Sequence, residues 1–320
     1  MYGGVIMSSH ARMYFTLAVS LLFISIYIAV CFIHSNSFIF MSDTLQYQQR
    51  YDEINNILLP YGIEFVVPII MYTVRFFGGD FRDFIFFSLM LWLPILFYGW
   101  RYIGLLFIII SVFFLSRFFV DNSTLLIRQY YAALFYIMWV FIDKKKSFLR
   151  NIMALLAVTS HLSAIFWIVL SLEWVRKKLS SIYFIIPIFV FVIIVFFIKV
   201  DFISPFINFI LGISDTINIS ELTRKVSFYS SDELEDILPV KPTLLYLSLF
   251  IFIVACVFNI LKIENGAILP RCELLLIMQS ALIIIFKDNV VLANRIGFFP
   301  YFFSIPILVF YFSMFMRVKR

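Results

Sequence analysis

Charge is scarce in this chain: only 14% of its 320 residues are Asp, Glu, Lys or Arg. Soluble domains carry about 25%. Polar surface is therefore too small to cover a water-soluble globule, and disordered chains, which are charge-rich, are excluded as well. The net charge of +6 is thinly spread, without the dense basic face that nucleic-acid binding needs. Cysteine is nearly absent. Cys31, Cys256 and Cys272 lie in or beside apolar runs, which provides neither a disulfide framework nor metal-ligand spacing. A glycine-rich phosphate loop, a Gly-x-Ser-x-Gly elbow and an Asp-x-Asp metal-sugar motif are all missing from the sequence. Soluble nucleotide chemistry and metal-dependent glycosyl transfer thus have no support, and neither a metal nor another cofactor is expected.

What fills the chain instead is apolar. Hydrophobic residues make up 63%, and phenylalanine alone occurs 42 times. The apolar runs are long and unbroken, unlike the short alternating segments of a β-barrel. A spanning helix needs about 20 such residues. The candidate segments are 13–33, 62–77, 84–100, 102–119, 125–142, 151–172, 182–198, 243–262, 272–286 and 297–316. The expected fold is an all-α integral membrane protein, a polytopic bundle of 8–10 transmembrane helices in one domain over 1–320. Two extracytoplasmic loops are expected at 34–61 and 199–242.

The first apolar run follows His10 and Arg12 and reads as an uncleaved first helix, running from cytoplasm to outside. Basic clusters at Lys144–Lys146 with Arg150, at Arg176–Lys178 and at the C-terminus read as cytoplasmic. The first two flank 151–172, so both can be inside only if that segment turns back. Half-helices meeting near Ser160 and His161 would do this, and a re-entrant 62–77 would restore parity. Ten full spans with one basic loop outside is the simpler alternative.

Ionisable residues in apolar segments are costly and mark candidate sites. Arg12, Arg101, Arg117 and Arg150 fit helix-end anchoring. Asp43, Tyr47 and Tyr51, four apart, share one face if 42–53 is helical, and could bind sugar hydroxyls; a solvated interfacial helix is the alternative. Glu64 opens an apolar segment and requires a cation or a proton. Arg128 and Gln129 start a span and offer clustered N–H donors suited to phosphate, or else anchor an interface. His161, with Thr159, Ser160 and Ser163 around it, is the histidine deepest in the apolar region. It could exchange a proton, or simply be hydrogen-bonded. Arg224, Lys225 and Tyr229 precede an acidic run in the second loop. Arg295 precedes the last span, and Arg271 the one before it.

In order and spacing, these residues resemble the EpsG-like family of Wzy-type polymerases for O-antigen, capsule and exopolysaccharide. The matching features are Asp43 with Tyr47 and Tyr51, then Glu64, then Ile127-Arg128-Gln129 with Ala132. They continue with Ala157, His161 and Ser163, then Lys225 with Tyr229, and finally Arg295. Ser160 stands where the family has Phe. The resemblance covers 43–300.

It implies a GT-C-like membrane enzyme of the bacterial inner membrane that joins undecaprenyl-diphosphate-linked repeat units on the periplasmic face, without metal. The donor and acceptor glycans and membrane lipid would be its partners, with a chain-length regulator and a flippase beside it. His161, Asp43 and Arg128 would be catalytic. Tyr47, Tyr51, Glu64, Gln129, Lys225, Tyr229 and Arg295 would bind substrate. A lipid-linked-sugar flippase or an O-antigen ligase would use similar residues.

Overall fold

A computed structural model describes residues 9–37, 42–54, 60–94, 126–142, 146–198, 240–261 and 269–289, with isolated positions 124, 205 and 293. Among the described residues every regular element is a helix. In chain order they are α1 (Ser9–Ser37), α2 (Ser42–Glu53), α3 (Val66–Phe76), α4 (Phe81–Met90), α5 (Ile127–Phe141), α6 (Ser147–Ser160), α7 (Ser163–Ser171), α8 (Glu173–Leu179), α9 (Ile182–Phe197), α10 (Pro242–Ile260) and α11 (Leu269–Ile285). They fall into two compact units, one within 1–169 and one within 170–300.

By length and composition, Met13–Ser37 and Pro242–Ile260 can each cross a membrane. A third span results if α8 and α9, bent by 65° at their junction, count as one. The expected segments 102–119 and 297–316 lie outside the described residues. α1 displays Met13, Phe15, Leu22, Phe32 and Ile33 on its exterior, an apolar surface suited to lipid and not to water.

In the first unit α5 is the central helix. Tyr130, Tyr131, Ala132, Ala133, Tyr136 and Val140 are all fully buried, as a helix that is apolar all round should be. α5 packs along α6, and α3 touches α2, α4, α5 and α6. Lipid tails are as apolar as Leu, so polar contacts and close packing have to hold such helices together.

The end of α4 supplies those polar contacts. Tyr130 Oη donates to the Ser88 carbonyl at 2.6 Å, and Tyr27 Oη of α1 donates to the Leu89 carbonyl at 2.7 Å. Tyr131 Oη and Ser88 Oγ are 2.7 Å apart. These carbonyls also accept from the Leu91 and Trp92 N–H groups, so the tyrosines fill their second lone pairs and tie α1 and α5 to α4. Such bonds average about 0.6 kcal/mol each in membrane proteins.

α3 and α4 are joined by a short connection. Gly78 takes φ +81°, the left-handed geometry of a helix C-terminus that glycine accepts without strain. Asp80 then starts α4 with a capping box, accepting from Asp83 N while the Asp83 side chain accepts from Asp80 N.

The expected span 151–172 is broken. α6 ends at Ser160, His161 is extended, and α7 resumes at Ser163. The basic residues Arg176–Lys178, expected in a loop, sit on the short helix α8.

In the second unit α10 packs along α11, and α9 contacts both. Lys287 Nζ donates to the carbonyls of Val195, Phe196 and Ile198 at 2.7, 3.0 and 3.0 Å. All three ammonium protons are used on the end of α9, where a cation also meets the negative end of the helix dipole.

Candidate active site

The centre of the site is Glu64. It sits in the turn before α3, where Glu64 N donates to the Tyr61 carbonyl at 3.3 Å and Gly62 adopts φ +63°. That left-handed glycine turns Tyr61 and Glu64 toward the start of α5. Glu64 Oε2 accepts from Arg128 Nη1 at 2.6 Å, and Oε1 accepts from the Leu162 backbone N–H at 3.0 Å. One carboxylate therefore joins the first turn of α5 to the α6–α7 break. The pair is well sheltered: the Glu64 side chain is 9% exposed and that of Arg128 31%.

Arg128 is held on three sides. Its Nε donates to Tyr47 Oη at 3.3 Å, and its guanidinium lies 4.4 Å from the centre of the Tyr61 ring. Tyr47 meets Tyr61 edge-on, with ring centres 6.1 Å apart. Among the described residues, Arg128 Nη2 has no hydrogen-bond partner. The two N–H donors of Nη2 are of the kind that phosphate and carboxylate oxygens accept.

Tyr61 and Gln129, on either side of this pair in sequence, each hold a buried polar atom with no hydrogen-bond partner among the described residues: Tyr61 Oη and Gln129 Oε1. Burial raises the Tyr61 phenol well above its ordinary range, so its hydroxyl stays protonated. A buried hydroxyl without an acceptor costs stability and marks a place for a ligand oxygen or water.

The α6–α7 break brings His161 to this corner. His161 Nδ1 lies 2.8 Å from Ser163 Oγ and accepts from Ser163 N–H at 3.2 Å. Leu162, the next residue, is the one bound to Glu64.

The expected site residues thus divide. Tyr47, Glu64 and Arg128 are in direct contact, and Glu64 links them to the His161–Ser163 turn. Gln129 is buried beside Arg128 in sequence, with its carbonyl unengaged. α2 is helical, as the shared face of Asp43, Tyr47 and Tyr51 required, and Asp43 lies in its first turn; its side chain is outside the described set. Lys225, Tyr229 and Arg295 also lie outside the described residues.

Tyr51 is set apart from this group. Its hydroxyl donates to the Gly79 carbonyl at 2.7 Å, and its ring packs on Phe81 and Phe84. Burial pushes its phenol up to about 12, with Arg75 pulling the other way, so it remains a donor. Arg75 Nη1 donates to the carbonyls of Tyr51 and Asp52, both at 2.6 Å, closing the end of α2. Arg150, expected as an interface anchor, stacks over Trp139 at 4.3 Å.

Tyr61 is the residue that sequence reasoning missed. Its signal is the run Pro60-Tyr61-Gly62, a turn placed directly before Glu64.

A helical chain with a lipid-suited exterior and a sheltered Arg128–Glu64 pair marks a membrane protein. The chain belongs to the EpsG family, whose model matches residues 16–320. The resemblance read from short motifs therefore holds over nearly the whole length. Comparison with curated proteins and with solved structures returned no match. Family membership points to a polysaccharide-polymerase type of function, glycosyltransferase-like, in a membrane protein of polysaccharide biosynthesis.

Proposed function

We propose that this protein is a repeat-unit polymerase of the bacterial inner membrane. It takes a growing glycan on undecaprenyl diphosphate and transfers it to the sugar of a new lipid-linked unit on the periplasmic face. The bundle is proposed to have 8–10 spans. Donor and acceptor lipid-linked glycans are its substrates, with a flippase and a chain-length regulator as working neighbours.

The observation that carries this reading is Arg128. Its inner edge is fixed by Glu64 and Tyr47, its face by Tyr61, and its Nη2 edge is open among the described residues. A lipid diphosphate leaves with two negative groups, and a preorganised guanidinium aimed at the developing charge lowers that barrier. The fixed counter-ion keeps the arginine in place between turnovers, so little reorganisation is needed at the moment of reaction.

In the transfer, the acceptor hydroxyl oxygen bonds to the anomeric carbon of the donor glycan. The bond from that carbon to the diphosphate oxygen breaks, and its electron pair leaves with the diphosphate. The hydroxyl proton goes to a base, for which Asp43 and His161 are the candidates. Tyr47 is a candidate sugar contact beside Arg128, and Arg295 and Lys225 are further candidate cations for the diphosphate.

The test is glycan analysis of a deletion strain by gel and mass spectrometry. A single capped repeat unit with no ladder is expected, since units would be made and flipped but not joined. An unchanged ladder, or complete loss with units trapped on the cytoplasmic side, would reject the polymerase and favour modification or transport.

A further inference from the structure

Tyr61 and Glu64 belong to one turn. Pro60 fixes its own φ, Gly62 takes φ +63°, and Glu64 N–H donates to the Tyr61 carbonyl at 3.3 Å. The turn therefore brings an anion and an aromatic ring to Arg128 together. Glu64 Oε2 lies 2.6 Å from Nη1, and the guanidinium carbon lies 4.4 Å from the centre of the Tyr61 ring.

The hydrogen bonds alone set the plane of the guanidinium loosely. A carboxylate that meets an arginine fork to fork fixes that plane with two parallel bonds. Glu64 does not pair in this way, because its other oxygen accepts from Leu162 N–H at 3.0 Å. The remaining bond, from Arg128 Nε to Tyr47 Oη, is long at 3.3 Å. Two points of attachment still let the plane rock about the line that joins them. A ring against the face stops that rocking. Its π-electrons also attract the cation, and more strongly where water is partly excluded, as it is at this sheltered pair.

The hydroxyl adds no hydrogen bond to this arrangement. Tyr61 Oη is buried and has no hydrogen-bond partner among the described residues. What Tyr61 gives Arg128 is the face of its ring.

We infer that Tyr61 is a positioning residue that acts through Arg128: its electron-rich ring face holds the guanidinium plane, and its hydroxyl is dispensable. The inference rests on the polymerase reading for its meaning in the reaction. Within that reading, the ring keeps Arg128 oriented toward the departing diphosphate, where a fixed donor lowers the barrier more than a mobile one.

Two measurements test this. The first is a double-mutant cycle on the purified protein in detergent, and it does not involve the reaction. Tyr61→Leu is expected to lower the thermal midpoint more in the parent than in Arg128→Ala, where the ring has no cation to hold. Equal drops in the two backgrounds overturn the inference. Tyr61→Phe is expected to unfold no lower than the parent, since it removes only an unpaired hydroxyl. A lower midpoint for Tyr61→Phe would show that the hydroxyl is needed, which also overturns it.

The second measurement reads the ring itself. The deletion strain is complemented with Tyr61→Phe and with chains in which position 61 carries mono-, di- or trifluorophenylalanine. Fluorine withdraws π-density stepwise while the ring keeps nearly its shape, so a role in packing alone gives no trend. At normal protein levels, Tyr61→Phe is expected to make polymer within about twofold of the parent rate, and the rate is expected to fall along the series to about tenfold lower. A flat series, or Tyr61→Phe without a ladder, overturns the inference. Failure of the polymerase reading would show instead in the deletion strain, whose ladder would survive, and the stability cycle would still decide the contact between Tyr61 and Arg128.

Discussion

Arg128 and Glu64 show how much a single pair of residues determines. The ion pair is only partly exposed, so removing one partner leaves the other charge in a poor solvent. Glu64→Ala is expected to destabilise the purified protein by about 2 kcal/mol or more, read as a lower thermal midpoint in detergent. It also frees Leu162 N–H, so loosening should extend to the His161 turn. The double variant Glu64→Ala/Arg128→Ala should recover part of the loss, a coupling of about 1–3 kcal/mol in a double-mutant cycle. Strict additivity would mean that the 2.6 Å contact contributes nothing. Arg128→Lys keeps the charge but loses the planar fork and the stack on Tyr61. It should cut polymer by about 10²-fold at normal protein level, because Lys cannot offer two parallel N–H groups. A ladder of ordinary length from Arg128→Lys would show that only a point charge is required.

At the scale of elements, the joints between helices are built by side chains that close helix ends. Tyr51, Arg75 and Gly79 form one such joint at the ends of α2, α3 and α4. Tyr51→Phe should lower stability by about 1 kcal/mol through the lost bond to Gly79, yet leave the ladder unchanged. Loss of polymer from a stable Tyr51→Phe protein would return Tyr51 to the substrate. Gly78→Ala should cost about 1–2 kcal/mol, since φ +81° forces an L side chain into the left-handed region. Gly79→Ala should be worse: its new Cβ would stand 2.7 Å from Val74 Cγ1 and 3.1 Å from the Val74 carbonyl. Valine is stiff about χ1, so the backbone would have to move. Thermal unfolding of the two variants ranks them, and equal stability of Gly79→Ala and the parent would disprove the close approach. None of these joints was legible beforehand. Neither Arg75 nor Lys287 gave a sign in the sequence that it would close a helix end, because each acts on carbonyls far away in sequence.

For the whole molecule, the basic clusters set the sidedness. The two basic clusters around 151–172 both carry the cytoplasmic signature, and the chain breaks between them at His161. In a background without Cys31, Cys256 and Cys272, Lys146→Cys and Lys178→Cys should both react with a membrane-impermeant thiol reagent only after the cytoplasmic side is opened. Labelling from opposite sides would establish a full crossing between them, and would favour ten spans over the re-entrant arrangement.

Some of this protein was determined by sequence alone. A chain that is 63% hydrophobic and 14% charged cannot stay in water, and its unbroken apolar runs can satisfy their backbone in lipid only as helices. The rare charges in those runs were visible as candidates because each is costly there. The break near His161 was also legible, from the two basic clusters that flank 151–172 and both read as cytoplasmic. Which charges meet was not, because pairing depends on how the turn at 61–64, the start of α5 and the α6–α7 break come together. Tertiary structure alone chose Arg128 as the partner of Glu64, put Tyr61 beneath it and drew Tyr51 away to Gly79. It also set His161 against the start of α7, with Nδ1 beside Ser163. The physical reason is that buried donors and acceptors must all be matched, and the match is made in space between segments that sequence leaves far apart.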